Sequence, residues 1–264
     1  MFSFRGFRHD ILRLVLVAAV IVAVDAPRRL TADQRSAEPA LPAPAAVIAR
    51  HVRAIGGEAA YRAVSSVRAR GRVQIVAQGI SGDVELLSAR PNKLINRVTI
   101  PGIGLIESGF NGRMGWSTNP VAGPELLTGR QLSEAADDAW FDAALHLADH
   151  VRSMTTLARE TFDGHPAYKL RVVYRSGNEQ VEYFDAESGL QIGSESTKAS
   201  PQGLIPTVNV MRDYRLFGAL MQPTTIVQRA LGLEQAVTIV SCEYNTVSAA
   251  AFEPPPSVRA LQPQ

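Results

Sequence analysis

The sequence predicts a mainly β (α+β) chain in which one strongly curved antiparallel sheet carries helices inserted at two places. Three observations support this fold class. Apolar and polar residues alternate along many short segments, which is the periodicity of half-buried strands. Turn residues separate these segments at short intervals. Adjacent segments have no helical pattern between them, which disfavours a parallel sheet built from crossover helices.

The composition limits the partners and sites that the chain can support. Its 27 Lys and Arg residues against 25 Asp and Glu leave a net charge of +2, which gives no electrostatic basis for binding nucleic acid. The single cysteine, Cys242, excludes an internal disulfide and a cysteine-based zinc site. Apolar residues make up 46% of the 264 residues, which is enough for a sizeable core.

The N-terminal segment has the pattern of an export signal. Arg5, Arg8 and Arg13 precede or enter the apolar run 11–24, whose 14 residues are short for a membrane span of about 20. Pro27 disfavours cleavage after Ala26, so residues 1–26 are predicted to be a signal peptide or an uncleaved anchor in the inner membrane. No cysteine lies near this segment, which excludes lipid attachment by the lipoprotein route. The predicted location is the periplasm or the cell envelope.

The remaining sequence divides into a linker, one domain and a tail. Residues 27–44 are rich in proline and alanine and predict a flexible linker. The domain, 45–254, opens with helical spacing over 45–64, which Gly56 and Gly57 divide into two helices. Residues 255–264 are predicted to be a C-terminal tail.

A period of two begins at the predicted strand 67–76. Its apolar residues share one face, and the other face carries Arg68, Arg70 and Arg72. These arginines could bind phosphate or DNA, but a solvated sheet face is the preferred interpretation. Ten to twelve strands are predicted in all, with a helix at 130–152. The others lie at 80–89, 93–100, 104–110, 113–118, 155–162, 167–175, 181–185, 190–198, 208–214, 222–230 and 236–244.

The stretch 101–116, PGIGLIESGFNGRMGW, raises the question of what a glycine-rich hairpin ending in Trp116 does. Asn111 and Gly112 lie between two apolar runs, which predicts a two-residue hairpin turn. A phosphate-binding loop would need a Lys-Ser or Lys-Thr pair and a following helix, and neither is present. The glycines are therefore interpreted as positions where a curved strand bends and packs closely.

The predicted helix 130–152 offers the most plausible metal ligands in the sequence. Asp142, His146 and His150 recur every four residues and so share one helix face. The opposite face, which includes Trp140, is apolar, and the spacing does not match a zinc-protease motif. These three residues are therefore predicted to be the solvent side of an amphipathic helix, with no metal bound.

No catalytic constellation is apparent. No serine occupies a nucleophile elbow, and the carboxylates are not paired for acid–base chemistry. Cys242 shares a strand face with Tyr244 and has apolar neighbours, which indicates a small core residue. The sequence is therefore predicted not to be an enzyme and to need no cofactor.

Several motifs resemble the LolA/LolB-like proteins, which include exported carriers of outer-membrane lipoproteins. The motifs are AIGG, GDVELLSARPNK, PGIGLIESGFNGRMGWSTNP, YFDAESGLQIG and FGALMQPTTIV, spread over about residues 45–254. The resemblance implies an open half-barrel wrapped over a few helices, with an apolar concave side that holds acyl chains. The missing lipid-anchor cysteine argues against an anchored receptor of the LolB type, and no arginine matches the one in the LolA cavity.

These observations predict an exported carrier that shields the acyl chains of a lipid or lipoprotein. The alternative is a periplasmic sensor or protein-interaction domain of the same fold. Since three arginines cannot line an apolar cavity, the lining is assigned to the opposite face of strand 67–76 and of its neighbours. The candidate lining residues are Val73, Ile75, Val84, Leu86, Val98, Ile106 and Trp116. About half of them are expected to be core residues instead.

Overall fold

The computed structural model describes residues 40–201 and 203–262. Two helices open this part of the chain, α1 (Pro44–Ala54) and α2 (Glu58–Arg62). A first meander of six strands follows: β1 (Ser66–Ile75), β2 (Ile80–Ala89), β3 (Lys93–Ile100), β4 (Gly104–Phe110), β5 (Gly115–Asn119) and β6 (Gly123–Leu126). The predicted signal segment and most of the predicted linker lie outside the described residues.

Two helices, α3 (Gly129–Asp138) and α4 (Leu147–His150), connect the first meander to the second. The second meander has seven strands: β7 (Val151–Phe162), β8 (His165–Tyr174), β9 (Glu179–Asp185), β10 (Gln191–Ser200), β11 (Gly203–Phe217), β12 (Leu220–Ala230) and β13 (Leu233–Tyr244). A short helix, α5 (Pro256–Arg259), follows near the end of the chain.

The 13 strands form one antiparallel sheet in which β1 pairs with β13 and so joins the two meanders. The sheet order is β6-β5-β4-β3-β2-β1-β13-β12-β11-β10-β9-β8-β7. Strands β6 and β7 are the two edges, so the sheet stays open. The predicted fold class, an open antiparallel half-barrel with a few helices, is confirmed.

The sheet has an inner face, against which α1 and α3 lie, and an outer face. On the inner face, α1 contacts β7, and α3 contacts β4, β5 and β10. The buried residues of this side include Val47 and Ile48 of α1, packed against Leu170 and Phe184 of the sheet. Helix α1 thus covers part of the inner face by burying its apolar stripe, as amphipathic helices do.

The outer face carries the charged rows and a second core. Arg70, Glu85, Arg97 and Glu107 are successive partners across β1, β2, β3 and β4 and form ion pairs, as expected for the predicted arginine face. Next to them, the C-terminal segment packs on the sheet. This outer core comprises Leu87, Ile95, Trp116, Phe252 and Val258. Val258 of α5 is fully buried although it falls in the predicted tail.

Two local predictions are wrong, and one strand was not predicted. The helix predicted at 130–152 ends at Asp138, because the Phe141 N–H donates to the Pro91 carbonyl and a buried Asp142 pairs with Arg90. The hairpin at Asn111 has a four-residue loop, since Phe110 pairs with Gly115 and the Asn111 side chain accepts from two backbone N–H groups of the loop. Strand β6 was not predicted, and it brings the number of strands in the described residues to 13.

Candidate functional site

An apolar row crosses the inner face through seven consecutive strands, from β4 to β11. It consists of two adjoining runs of register partners. The first run is Ile106, Val98, Val84, Gly71 and Ile239, and the second is Val73, Val237, Ile226 and Met211. Val73, Val84 and Ile239 are buried, and the other side chains of the row are half-buried. The row lies on the face of the sheet against which the helices pack.

Six of the seven candidate lining residues share this inner face. Val73, Val84, Val98 and Ile106 belong to the apolar row itself. Leu86 pairs with Ala69 and Asn96, one register step away, and Ile75 pairs with Ile80 at the end of β1. Their contact with a ligand stays a prediction.

Trp116 lies on the opposite face. It is the partner of Gly109 and is fully buried in the outer core beneath Phe252 and Val258. Its indole Nε1–H donates to Glu107 Oε1 at 3.0 Å. Trp116 therefore faces away from the inner face that holds the other six candidates.

A polar row runs beside the apolar one and opens into a cavity under α3. Its members are Asn96, Ser108, Ser117 and Glu125, which are register partners across β3 to β6. Together with α3 they enclose part of a cavity of about 300 Å³ that Leu94, Phe110 and Leu127 also line. The inner face thus carries a polar row beside the apolar row, whereas the resemblance implied an apolar concave side.

Helix α3 bridges the two meanders over this cavity. On one side, its Leu132 lies against Gly115 of β5. On the other, Glu134 accepts a hydrogen bond from the Ala199 backbone N–H of β10 at 2.9 Å, and Lys198 pairs with Asp138 at 2.7 Å. Burial raises the pKa of Asp138, and the neighbouring Lys198 opposes this shift. These contacts position α3 across the inner face.

A second cavity of about 240 Å³, here called the ring cavity, lies between α1, the 140–150 segment and strands β7 to β10. Seven ring-bearing side chains line it: His51, Tyr61, Trp140, Phe141, His150, Tyr174 and Phe184. Apolar residues such as Ile48, Leu147 and Met154 fill the gaps between the rings, and Glu182 and Gln191 are the non-aromatic polar residues of the lining. Sequence reasoning did not identify this cavity.

The histidines of the ring cavity are neutral near pH 7. Burial lowers the pKa of His51 to about 4, with a hydrogen bond to the Gly189 carbonyl opposing the shift. Burial also lowers the pKa of His150, whose Nδ1 bonds to the His146 carbonyl at 2.9 Å. Because a carbonyl is an acceptor, each Nδ1 carries the proton, which leaves each Nε2 as an acceptor.

Glu182 is the lining side chain of the ring cavity that changes charge nearest to neutral pH. Burial raises its pKa to about 7, and a hydrogen bond from Gln180 at 2.6 Å opposes this shift. No lysine or arginine occurs in the lining formed by the described residues. The carboxylate therefore lacks a positive partner in the cavity.

The prediction that Asp142, His146 and His150 form a solvent-exposed stripe is wrong for two of them. Asp142 is 2% exposed and pairs with Arg90 and with His146 Nε2, the latter at 3.1 Å. His150 is 5% exposed and is stacked on Trp140 at 4.8 Å between ring centroids. Within the described residues, no group of three or more His, Cys, Asp or Glu side chains is arranged to hold a metal ion.

Two further features bear on chemistry and on membranes. Burial raises the pKa of the Cys242 thiol to about 11, so it remains protonated near pH 7 and lacks the character of a nucleophile.

None of the helices within 40–201 and 203–262 combines the length and the apolar content needed to cross a bilayer.

Comparisons with known proteins identify the fold. No family model and no curated protein matches the sequence. Among solved structures, a LolA superfamily protein from Nitrosomonas europaea superposes with a TM-score of 0.54 at 15% identity, covering 81% of this chain and 99% of that one. A domain assigned to outer-membrane lipoprotein sorting, from Vibrio parahaemolyticus, gives 0.51 at 11% identity, covering 79% and 95%.

A DUF1329 family protein from Desulfovibrio piger also superposes, with a TM-score of 0.53 at 12% identity and coverage of 82% and 98%. At these identities the likeness concerns the fold alone. The chain therefore has the LolA-like fold that its motifs predicted.

Proposed function

We propose that the protein is exported to the bacterial cell envelope and binds the acyl chains of a lipid or lipoprotein on its inner face, without covalent catalysis. The apolar row carries this proposal. It crosses seven strands, and five of its side chains keep accessible surface although they are aliphatic. Shielding an acyl chain there would contribute roughly 0.8 kcal/mol for each methylene removed from water.

Two further observations support the proposal. The basic and apolar pattern of residues 1–26 is typical of export. One structural neighbour carries lipoprotein sorting in its name, and another belongs to the LolA superfamily. Uncleaved, the N-terminal segment would add a membrane anchor to the binding domain.

Mass spectrometry of organic extracts from the purified protein tests this function. A stoichiometric acyl lipid or acylated peptide is expected, and heat-denatured protein serves as the control for adsorbed material. Protein that carries no acyl compound and instead retains a specific polypeptide would contradict the carrier proposal and favour the sensor or protein-interaction alternative.

A further inference from the structure

The ring cavity has properties that an acyl-binding surface does not need. None of its lining residues belongs to the apolar row. Its lining combines seven rings, aliphatic side chains, Gln191 and one carboxylate, and within the described residues it contains no lysine or arginine. We propose that this cavity binds an organic ammonium group, such as the head of choline or ethanolamine, with Glu182 as counter-ion and the surrounding rings as a cage.

The size of the cavity suits such a group. Its 240 Å³ is too large for a single water and lies just below the range of about 300–1,000 Å³ that drug-sized pockets span. A bare metal ion is a poor occupant because Ca²⁺ and Mg²⁺ require several oxygen ligands. Rings and aliphatic side chains make up most of the lining, which favours a cation that carries its own carbon shell.

The rings are arranged in a stack and an edge contact. His150 is stacked between Trp140 at 4.8 Å and Tyr174 at 6.1 Å, and His51 meets Phe184 edge to face at 5.2 Å. Aromatic faces attract a cation placed within about 6 Å of the ring centre, and Trp and Tyr do so better than Phe. Neutral imidazoles strengthen this preference, because they add acceptors and no competing charge.

The carboxylate of Glu182 completes the site. Among the described residues its hydrogen-bond donor is the Gln180 amide, which leaves acceptor capacity for a ligand N–H or a nearby quaternary nitrogen. Glu182 shares its sheet face with Phe184, two residues further along β9, so both point to the ring cavity. A cation bound there would replace the missing positive partner.

Charges of both signs surround the cavity, and the Arg90 guanidinium lies 5.5 Å from the centre of the Phe141 ring. The titratable lining residues are His51, Tyr61, His150, Tyr174 and Glu182. Behind them, Asp137, Asp138, Asp142 and Asp149 act through space on the lining tyrosines and on His150. Asp138 and Asp142 have their own cations in Lys198 and Arg90, whereas no such cation faces Glu182. Glu182 is therefore the carboxylate of the lining that is placed to pair with a positive ligand.

The test uses nuclear magnetic resonance of the two indole N–H groups. Trp140 lines the ring cavity, whereas Trp116 lies in the outer core and serves as an internal control. Choline is titrated against dimethylbutanol, its uncharged carbon isostere. We expect choline to shift the Trp140 resonance with at least about tenfold higher affinity than the isostere, while Trp116 stays in place. Equal affinities, or no shift by choline, would overturn the proposal.

Two variants separate the charge from the shape of the cavity. Glu182→Gln keeps the shape and should weaken choline binding about tenfold or more while leaving the isostere unaffected. Glu195→Gln, on the outer face opposite Val181, is the matched control and should bind choline like the wild type. Choline binding that survives in Glu182→Gln would contradict the assigned counter-ion.

Two further measurements identify the kind of molecule that carries the ammonium group and test whether its binding depends on pH. Short-chain phosphatidylcholine, kept below micelle formation, is compared with free choline. Binding of both identifies a lipid headgroup, and binding of choline alone identifies a free amine; either result supports the site. Choline affinity should also rise between about pH 6 and pH 8, as Glu182 loses its proton. A flat profile would count against the site. Because this cavity is separate from the apolar row, the acyl proposal and the ammonium proposal fail independently.

Discussion

Gly109 and Trp116 are register partners on β4 and β5, and the indole lies directly against the glycine. A Cβ built on Gly109 would stand 2.4 Å from Cζ2 of the Trp116 ring, a distance that real contacts do not show. The φ angle of Gly109 is not positive, so the close approach of the ring, and not the backbone conformation, requires glycine here. This pair answers what the glycine-rich hairpin does: it seats a tryptophan in the outer core.

Gly109→Ala should therefore destabilise the fold. The added methyl group must displace the indole, which is itself fully buried, and such overpacking costs about 1–3 kcal/mol. The midpoint of urea unfolding measures the effect. Ser108→Ala, one residue away on the inner face, is the control and should change the free energy of unfolding by less than about 0.5 kcal/mol. Equal stability of the two variants would refute the packing argument.

The buried ion pair of the outer face should contribute more than its exposed counterpart. Glu107 is 4% exposed and accepts from Arg97 Nε at 2.7 Å and from the Trp116 indole. Glu107→Ala leaves both donors short of an acceptor and should cost about 3 kcal/mol. Asp83→Ala removes the exposed partner of Arg72, 3.6 Å away, and should cost less than about 0.5 kcal/mol. Chemical denaturation of both variants compares these costs directly, and similar losses would contradict the assignment.

The buried Asp142 should be structurally important. Its carboxylate holds the 139–146 segment to Arg90 at the end of β2, and truncation would leave the guanidinium without its partner. We expect Asp142→Ala to lower the free energy of unfolding by about 3 kcal/mol. Asp149→Ala is the matched control, since that side chain is mostly exposed and should matter little. If thermal unfolding shows both variants at wild-type stability, Asp142 has no such role.

Glu182 should make stability depend on pH in a direction opposite to the usual carboxylate. Burial raises its pKa to about 7, above the value near 4.3 of an unfolded glutamate. Between these values the folded state binds more protons, so this group stabilises the protein at low pH and the contribution is lost as pH rises through 7. The wild type should therefore lose about 3 kcal/mol relative to Glu182→Gln between about pH 4 and pH 8.

The difference between the two proteins is what must be measured. His51, with a pKa lowered to about 4 by burial, titrates with the opposite sign between that value and its unfolded value near 6.5. Both proteins retain His51, so its contribution cancels in the difference. A difference in unfolding free energy that does not change with pH would show that Glu182 is not desolvated in the folded state.

The strands were predictable where local pattern and turn chemistry agree. The predicted segments 80–89, 93–100 and 104–110 coincide with β2, β3 and β4, because period-two alternation ends at turn residues on both sides. Strand β6 escaped prediction because its four residues, GPEL, include a proline and show no alternation. The helix break after Asp138 depends on Arg90 and Pro91, distant in sequence, and no local pattern encodes it.

The site was predictable in part. Alternation correctly grouped Val84, Val98 and Ile106 on one face, since register partners share a face. The same alternation places Trp116 on the other face. If the hairpin loop after Phe110 has an even number of residues, Trp116 shares a face with Glu107 and not with Ile106. Period two also puts Glu182 beside Phe184. The ring cavity itself requires α1, α4 and strands β7 to β10 to meet, which sequence alone did not reveal.

Binding of a fluorescent fatty acid to charge variants of the apolar row is the decisive measurement for acyl binding on the inner face. Val98→Asp places a carboxylate among the half-buried aliphatic side chains of the row, and Thr99→Asp places the same charge on the exposed outer side of β3. We expect the wild type and Thr99→Asp to bind the probe alike, whereas Val98→Asp, with its fold verified by circular dichroism, loses about tenfold or more in affinity. A wild-type protein that binds no acyl probe, or a folded Val98→Asp variant that binds it undiminished, would contradict acyl binding by the apolar row.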